Sequence, residues 1–158
     1  MTATFDMLIA DAGVEDLGVL LAGLAPGVRT RLIQPREDGL AAIFDALALP
    51  GLGRLHVLAH GVPGGVVLGG RQLGAGDFRR RGGDVAARDL DIAFWCCLTG
   101  CGQQGRTFVE AVVGATGARV SAATGLIGSA HKNGSWNLDV RIEPPFAAEA
   151  RRRYTKVV

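Results

Sequence analysis

The chain has 158 residues, enough for one domain with a substantial core, and 48% of them are hydrophobic. This composition excludes a disordered chain, and the net charge of +2 is too small to indicate a nucleic-acid-binding surface. The arginine clusters at 79–81 and 151–153 lack interleaved aromatic residues, so we expect solvated faces. No stretch approaches the roughly 20 apolar residues of a membrane span, and no signal peptide is visible. We expect one cytoplasmic domain over residues 1–158.

Short apolar runs alternate with helical patterns along most of the chain. Strands are predicted over residues 4–10, 28–34, 55–60, 90–97 and 118–124, and helices over 14–25, 40–49 and 106–116. The segment 28–34 alternates arginine with apolar residues, which favours a strand near the sheet edge. This alternation predicts an α/β fold built of βαβ units around a mostly parallel sheet.

Four further segments depart from this alternation. The glycine-rich segment 61–70 predicts a loop followed by a short hairpin, and a short helix is predicted near Asp77. Strict alternation over 135–142 predicts an antiparallel edge strand, and residues 147–154 predict a short terminal helix.

Two of the apolar strands end in residues that can perform chemistry. His60 ends one strand and is followed by Gly61, while Cys97 ends another and is followed by small, turn-prone residues. Because the carboxyl ends of parallel strands meet at one edge of the sheet, we expect an imidazole beside a thiol. A thiolate is a nucleophile, and a nearby imidazole can take its proton. The backbone N–H groups of Gly61 and Cys97 could then form an oxyanion hole.

The other cysteines and histidines are assigned lesser roles. Cys96 points to the opposite strand face from Cys97, which indicates packing, and Cys101 is a structural residue or an oxidation partner. Three cysteines within six residues do not form a disulfide framework, so we expect reduced thiols. His56 lies about 13 Å from His60 along the strand, too far to act on the same atom. His131 falls in a predicted surface turn.

A hydrophobic block ending in His-Gly, followed by a second ending in Cys, resembles the caspase-like cysteine peptidases of clan CD. Residues 5–140 resemble more closely an uncharacterised bacterial domain often found near the N-terminus of very large surface adhesins. The segments that carry this resemblance are Ile9-Ala10-Asp11, Pro35-Arg36-Glu37-Asp38-Gly39, His56-Val57-Leu58-Ala59-His60-Gly61, Cys96-Cys97-Leu98, Gly105-Arg106-Thr107-Phe108, Ile127-Gly128-Ser129-Ala130 and Gly134-Ser135-Trp136-Asn137-Leu138.

The resemblance implies a caspase-like three-layer sandwich with an added hairpin and an antiparallel edge strand. It implies His60 as the general base and Cys97 as the nucleophile of a peptidase dyad. It also implies a substrate pocket bordered by Trp95, Thr124 and Gly125.

The chain departs from the family pattern at three positions. Cys96 and Leu98 replace the glycine and asparagine that flank the nucleophile, and Gly125 replaces an aspartate. Because no acidic residue stands at the pocket position, we expect no preference for arginine or lysine substrates.

The leading hypothesis is a cysteine endopeptidase or self-processing peptidase that acts on a protein or peptide and uses no metal or cofactor. The alternative is a catalytically silent caspase-like module that serves interaction in a bacterial surface or regulatory system. A third hypothesis is a redox or metal site at Cys96, Cys97 and Cys101, although neither Cys-x-x-Cys nor a zinc spacing is present. Membership of a larger adhesin-like protein would place the domain outside the cell or on its surface. The sequence carries no signal for the oligomeric state.

Overall fold

The computed structural model describes residues 4–82, 85–138 and 140–158. Its strands and helices follow one another along the chain in the order β1 (Phe5–Asp11), α1 (Leu17–Leu21), β2 (Arg29–Ile33), α2 (Gly39–Leu47), β3 (Leu52–Leu58), β4 (His60–Val62), β5 (Gly65–Leu68), β6 (Arg71–Gly74), α3 (Ala75–Arg81), β7 (Asp91–Trp95), α4 (Gly102–Thr116), β8 (Arg119–Ala122), β9 (Leu126–Ile127), β10 (Gly134–Ser135) and α5 (Ala148–Arg153). A 3-10 helix, Ala130–Lys132, lies between β9 and β10.

Five strands form a central sheet in the order β2-β1-β3-β7-β8, and every neighbouring pair in it is parallel. The α/β class and the mostly parallel sheet are therefore confirmed, and the arginine-bearing β2 lies at an edge as predicted. The chain moves outward from β1 to β2 and then returns to β3 on the other side of β1. Ligand sites of open α/β sheets form where the strand order reverses in this way, beyond the carboxyl ends of the strands.

The sheet carries a core on each face, because successive side chains of a strand point to opposite faces. On one face, Ile92 and Phe94 of β7 pack with α2, α3 and α4. On the other, Ala93 and Trp95 pack with α1 and with Tyr154, which follows α5. The molecule thus has three layers.

A three-stranded antiparallel sheet made of β4, β5 and β6 stands beside the central sheet. A hairpin is present as predicted, but its second strand, β6, lies beyond the predicted segment 61–70, and the predicted loop begins instead with β4, which starts at His60. The second turn holds Gly69 and Gly70, both with positive φ (63° and 81°), the backbone of a tight two-residue hairpin turn.

The predicted antiparallel edge strand over 135–142 is wrong. Only Gly134–Ser135 is a strand there, and it pairs in parallel with β9. Residues 136–138 and 140–142 form no strand, and Asp139 lies outside the described residues. Trp136, Leu138 and Ile142 pack against the core beside α1 and Tyr154, so the alternation reflects burial of one side without a pairing partner.

None of the helices in the described ranges is long and apolar enough to cross a bilayer.

Close packing of α4 against the preceding loop generates a stability prediction. A Cβ on Gly105 would overlap the backbone of Gly100, whereas a Cβ on Gly114 of the same helix would meet open space. Gly114→Ala should stabilise the protein by about 0.5–1 kcal/mol through helix propensity. Gly105→Ala should destabilise it by about 1–3 kcal/mol through overpacking. Urea unfolding measures both, and equal stabilisation by the two changes would contradict the packing described here.

Candidate functional site

The tips of β3 and β7 lie side by side. The two strands pair in parallel, with Leu58 opposite Trp95, so the chain continues from both toward the same edge of the sheet. The expected neighbourhood of the two strand ends is therefore confirmed. A Cβ on Gly61 would overlap the carbonyl oxygen of Cys97, so only glycine lets the hairpin approach this closely.

Thr99 fastens the loop after Cys97 to the hairpin in two ways. Its buried hydroxyl donates to the carbonyl of Gly65 at 2.9 Å, and its own carbonyl accepts from the N–H of Gly64 at 3.0 Å. The cysteine loop and the hairpin that carries His60 thus form one connected unit.

The backbone turns sharply after Cys97. Leu98 has a φ of 62°, in the left-handed region that a leucine rarely adopts. Its N–H donates to Gly125 at 2.9 Å, and its carbonyl accepts from Cys101 at 2.9 Å. Such a conformation costs about 1–3 kcal/mol and persists only where the surroundings hold it, which is common at functional sites.

The Cys97 thiol lies beneath the surface. Its residue is 5% exposed, and Sγ accepts a hydrogen bond from the N–H of Ile127 at 3.3 Å. Burial raises the pKa of Cys97, while the backbone N–H groups of Ile127 and Val158 oppose that rise without overcoming it. In this conformation the group is a protonated thiol at neutral pH.

The segment Lys156–Val158 lies beside this thiol, since the Val158 N–H is one of the groups that act on its pKa, and we call it the covering segment. Val157 bridges antiparallel to Gly128. The Val158 N–H donates to Ile127 at 3.0 Å, and the Lys156 carbonyl accepts from Ser129 at 2.8 Å. The edge formed by residues 127–129 therefore already binds one extended stretch of backbone directly beside the sulfur.

His60 is half-buried, and its Nε2 donates to the carbonyl of Gly13 at 3.3 Å. Asp11 holds that glycine in place, because its Oδ1 accepts from the Gly13 N–H at 2.8 Å. The second carboxylate oxygen accepts from the Gly69 N–H in the hairpin at 2.7 Å. The His60 ring makes no described hydrogen bond to Cys97 in this conformation.

Asp11 is a site residue that the sequence reasoning did not assign. Its carboxylate joins the tip of β1 to the hairpin and so sets the position of the group that holds His60. The signal was present, since the sequence places an aspartate at the end of the first strand in the motif Ile9-Ala10-Asp11.

Trp95 does not line an open substrate pocket, which corrects the expectation for that residue. It is fully buried, because its strand position turns the indole into the core shared with Tyr154. Its Nε1 donates to Nδ1 of the buried His56 at 3.0 Å. Burial lowers the pKa of His56 to about 4, although the nearby Asp6 carboxylate acts in the opposite direction.

The remaining predicted site residues lie around the same edge. Thr124 and Gly125 are exposed in the loop after β8, beside the cysteine turn. Cys96 is fully buried on the opposite face from Cys97, as expected, and burial raises its pKa. Cys101 is half-buried at the start of α4, and the three thiols are unpaired. Within residues 4–82, 85–138 and 140–158, no three potential ligands are grouped to hold a metal ion.

Fold and site together define an α/β domain with a cysteine after one central strand and a histidine after its parallel neighbour. The chain belongs to the family described as Domain of unknown function (DUF4347), whose model matches residues 7–158. No curated protein and no solved structure matches the chain.

The buried pair of His56 and Trp95 generates a pH prediction. The folded-state pKa of about 4 lies below the ordinary 6.5, so the unfolded chain binds a proton that the folded protein does not. This contribution to stability is present above pH 6.5 and is lost as the pH falls toward 4, by about 3 kcal/mol. His56→Asn keeps an acceptor for Trp95 but does not titrate there. The parent protein should therefore lose more unfolding free energy than His56→Asn between pH 7 and pH 4.5. A difference between the two proteins that stays constant with pH would contradict the lowered pKa of His56.

Proposed function

We propose that this domain is a cysteine peptidase, or a self-processing peptidase, with Cys97 as nucleophile and His60 as general base. The observation that supports it best is the covering segment, a stretch of backbone hydrogen bonded to residues 127–129 beside the Cys97 sulfur. A substrate peptide bound to the same edge would carry its backbone past the sulfur, and adding a strand to an exposed edge is a general mode of peptide recognition. The proposal includes a caspase-like relationship for the fold.

The proposed reaction proceeds through a thioester. His60 takes the proton of the Cys97 thiol, and the thiolate attacks the peptide carbonyl. The C–N bond breaks as the ring returns the proton to the leaving amine. Water then attacks the thioester, the ring takes its proton, and the thiol is re-formed as the carboxylate product leaves.

Two movements separate the described conformation from a reactive one. The covering segment must leave residues 127–129. The His60 ring must give up its hydrogen bond to the Gly13 carbonyl and form one to the Cys97 sulfur. The N–H groups of Gly61 and Cys97 would then face the developing oxyanion. Thr124 and Gly125, exposed beside the cysteine turn, would border the bound peptide.

Three features of the described conformation support this assignment. The strand order reverses between β1 and β3, and Asp11 and His60 stand at that crevice. The left-handed Leu98 directs the chain away immediately after Cys97. Gly61 and Thr99 fix the hairpin against the cysteine loop.

A second candidate is a silent interaction module. The observation that favours it is that Cys97 is buried and protonated, while the His60 ring binds the carbonyl of Gly13. Such a module would bind its partner equally well as the Cys97→Ser variant.

The dyad predicts site-specific alkylation. A peptidyl chloromethyl ketone should label Cys97, and Cys97→Ala should abolish labelling and any peptide cleavage. His60→Ala should slow labelling by about 100-fold or more, the usual contribution of a general base. Cys101→Ala is the matched control and should leave the rate unchanged. Peptide mass spectrometry of the adduct reads out the site, and labelling unaffected by His60→Ala would exclude the imidazole as the base.

The covering segment predicts a latent thiol. Val158→Pro removes the N–H that donates to Ile127, whereas the N–H of Val157 makes no bond to residues 127–129 among those described. Val158→Pro should therefore raise the labelling rate of Cys97 at least severalfold, in line with the loss of a hydrogen bond of about 1 kcal/mol. Val157→Pro carries the same ring and should have the smaller effect. Equal rates in both variants and the parent protein would show that the segment does not limit access.

A further inference from the structure

A cleft of about 620 Å³ adjoins the edge that binds the covering segment, and the two share Gly128 and Ser129. Its other polar and aromatic lining residues lie in or directly after the 3-10 helix, β10 and α5, and they are His131, Ser135, Trp136, Asn137, Arg151, Arg152 and Tyr154. None of its described lining residues carries a carboxylate, while two are arginines and one is a histidine. The cleft therefore favours an anionic ligand on charge alone.

Two buried donors in this cleft lack an acceptor in the part of the chain that the structure describes. They are Nε1 of Trp136 and Nε of Arg151. A buried donor without a partner is costly, and nearly all such groups in proteins find an acceptor. A second cleft, which contains Glu143, is also lined by Trp136 and Arg151, but Arg151 forms no described ion pair. Both donor atoms are closed to solvent in this conformation, so they bind an acceptor from outside only when the lining side chains shift.

The cleft lies on the path of the covering segment. Tyr154 lines the cleft, and only Thr155 separates it from Lys156, whose carbonyl binds Ser129. The Tyr154 side chain is buried and its hydroxyl donates to Glu15, so the wall that it forms does not depend on the covering segment. A peptide could replace the covering segment and run in the same direction. Its residues two or three positions before the one bound at residues 127–129 would then lie at the cleft, about 7–10 Å from that binding edge.

We propose that this cleft binds a carboxylate side chain of the peptide that is hydrogen bonded to residues 127–129. The residue with this carboxylate precedes, in the peptide, the residue that lies beside Cys97. The carboxylate pairs with the Arg151 guanidinium and, once the lining side chains shift, accepts from the Trp136 indole N–H, while Arg152 and His131 add positive charge. Charge-assisted bonds of this kind are stronger than neutral ones and discriminate glutamate or aspartate from their amides. This inference rests on the proposed function for the placement of the peptide, and it names the substrate class as acidic peptides.

The test uses the full chain as the Cys97→Ala variant, so that no bound peptide is cleaved. The protein has two tryptophans, and the indole N–H of each gives its own signal in a proton–nitrogen correlation spectrum. Trp136→Phe assigns the two signals. Blocked peptides that carry one glutamate at successive positions are titrated beside glutamine twins and beside N-acetylglutamate amide alone.

We expect the Trp136 signal to shift saturably with a glutamate peptide, and at least fivefold more weakly with its glutamine twin. Arg151→Gln should remove that preference, with an affinity loss of about tenfold, a typical effect of losing a charge-assisted bond. The matched control is Arg153→Gln on the same helix, because Arg153 pairs with Glu149 and does not line the cleft. The remaining amide signals report whether each variant is folded.

Three outcomes would overturn the inference. The Trp136 signal could respond equally to glutamate and glutamine peptides, or the preference could survive Arg151→Gln in a folded protein. N-acetylglutamate amide could also bind as tightly as the peptides, which would assign the cleft to a free acid. Peptide binding is measured in Cys97→Ala, so it does not depend on the thiol. If the Trp136 signal shifts but Cys97 of the parent protein is not labelled, only the proposed catalysis is contradicted. If Cys97 is labelled but the Trp136 signal does not shift, only the proposed role of the cleft is contradicted.

Discussion

The close approach of Gly61 to the main chain of Cys97 is the constraint on which the site depends. Any side chain at Gly61 would meet the Cys97 carbonyl, so the hairpin and the cysteine loop pack backbone against backbone. Thr99 strengthens this contact with two hydrogen bonds to the hairpin, and Asp11 attaches the hairpin to β1. The tips of three parallel strands are therefore joined to one small antiparallel sheet.

The covering segment lies beside a thiol that is buried and, for that reason, protonated. It supplies to residues 127–129 the same backbone donor and acceptor that any extended peptide would offer, so replacing it exchanges equivalent hydrogen bonds. Its departure would free residues 127–129 beside the sulfur, next to the cleft that holds Arg151 and Trp136. Access to Cys97 and selection of a peptide would then be parts of a single event.

The sequence alone predicts much of the fold because the β strands carry clear apolar runs and the glycines mark their ends. The chemistry of the strand ends also follows from it, since His60 and Cys97 each come two residues after one of two parallel neighbours, β3 and β7. It misplaces the 135–142 strand because Trp136, Leu138 and Ile142 alternate toward a core, and burial leaves the same pattern as pairing. It could not predict the covering segment or the burial of Trp95, because both depend on contacts between residues 27 or more positions apart.

The most direct test of the account is a crystal structure of the protein after reaction with a peptidyl chloromethyl ketone. The account predicts a covalent bond to Sγ of Cys97 and a peptide paired antiparallel with residues 127–129. It also predicts that the covering segment is displaced and that the His60 ring has left Gly13 for the reacted sulfur. An unmodified Cys97 beneath an unmoved covering segment, at full saturation with the reagent, would contradict it.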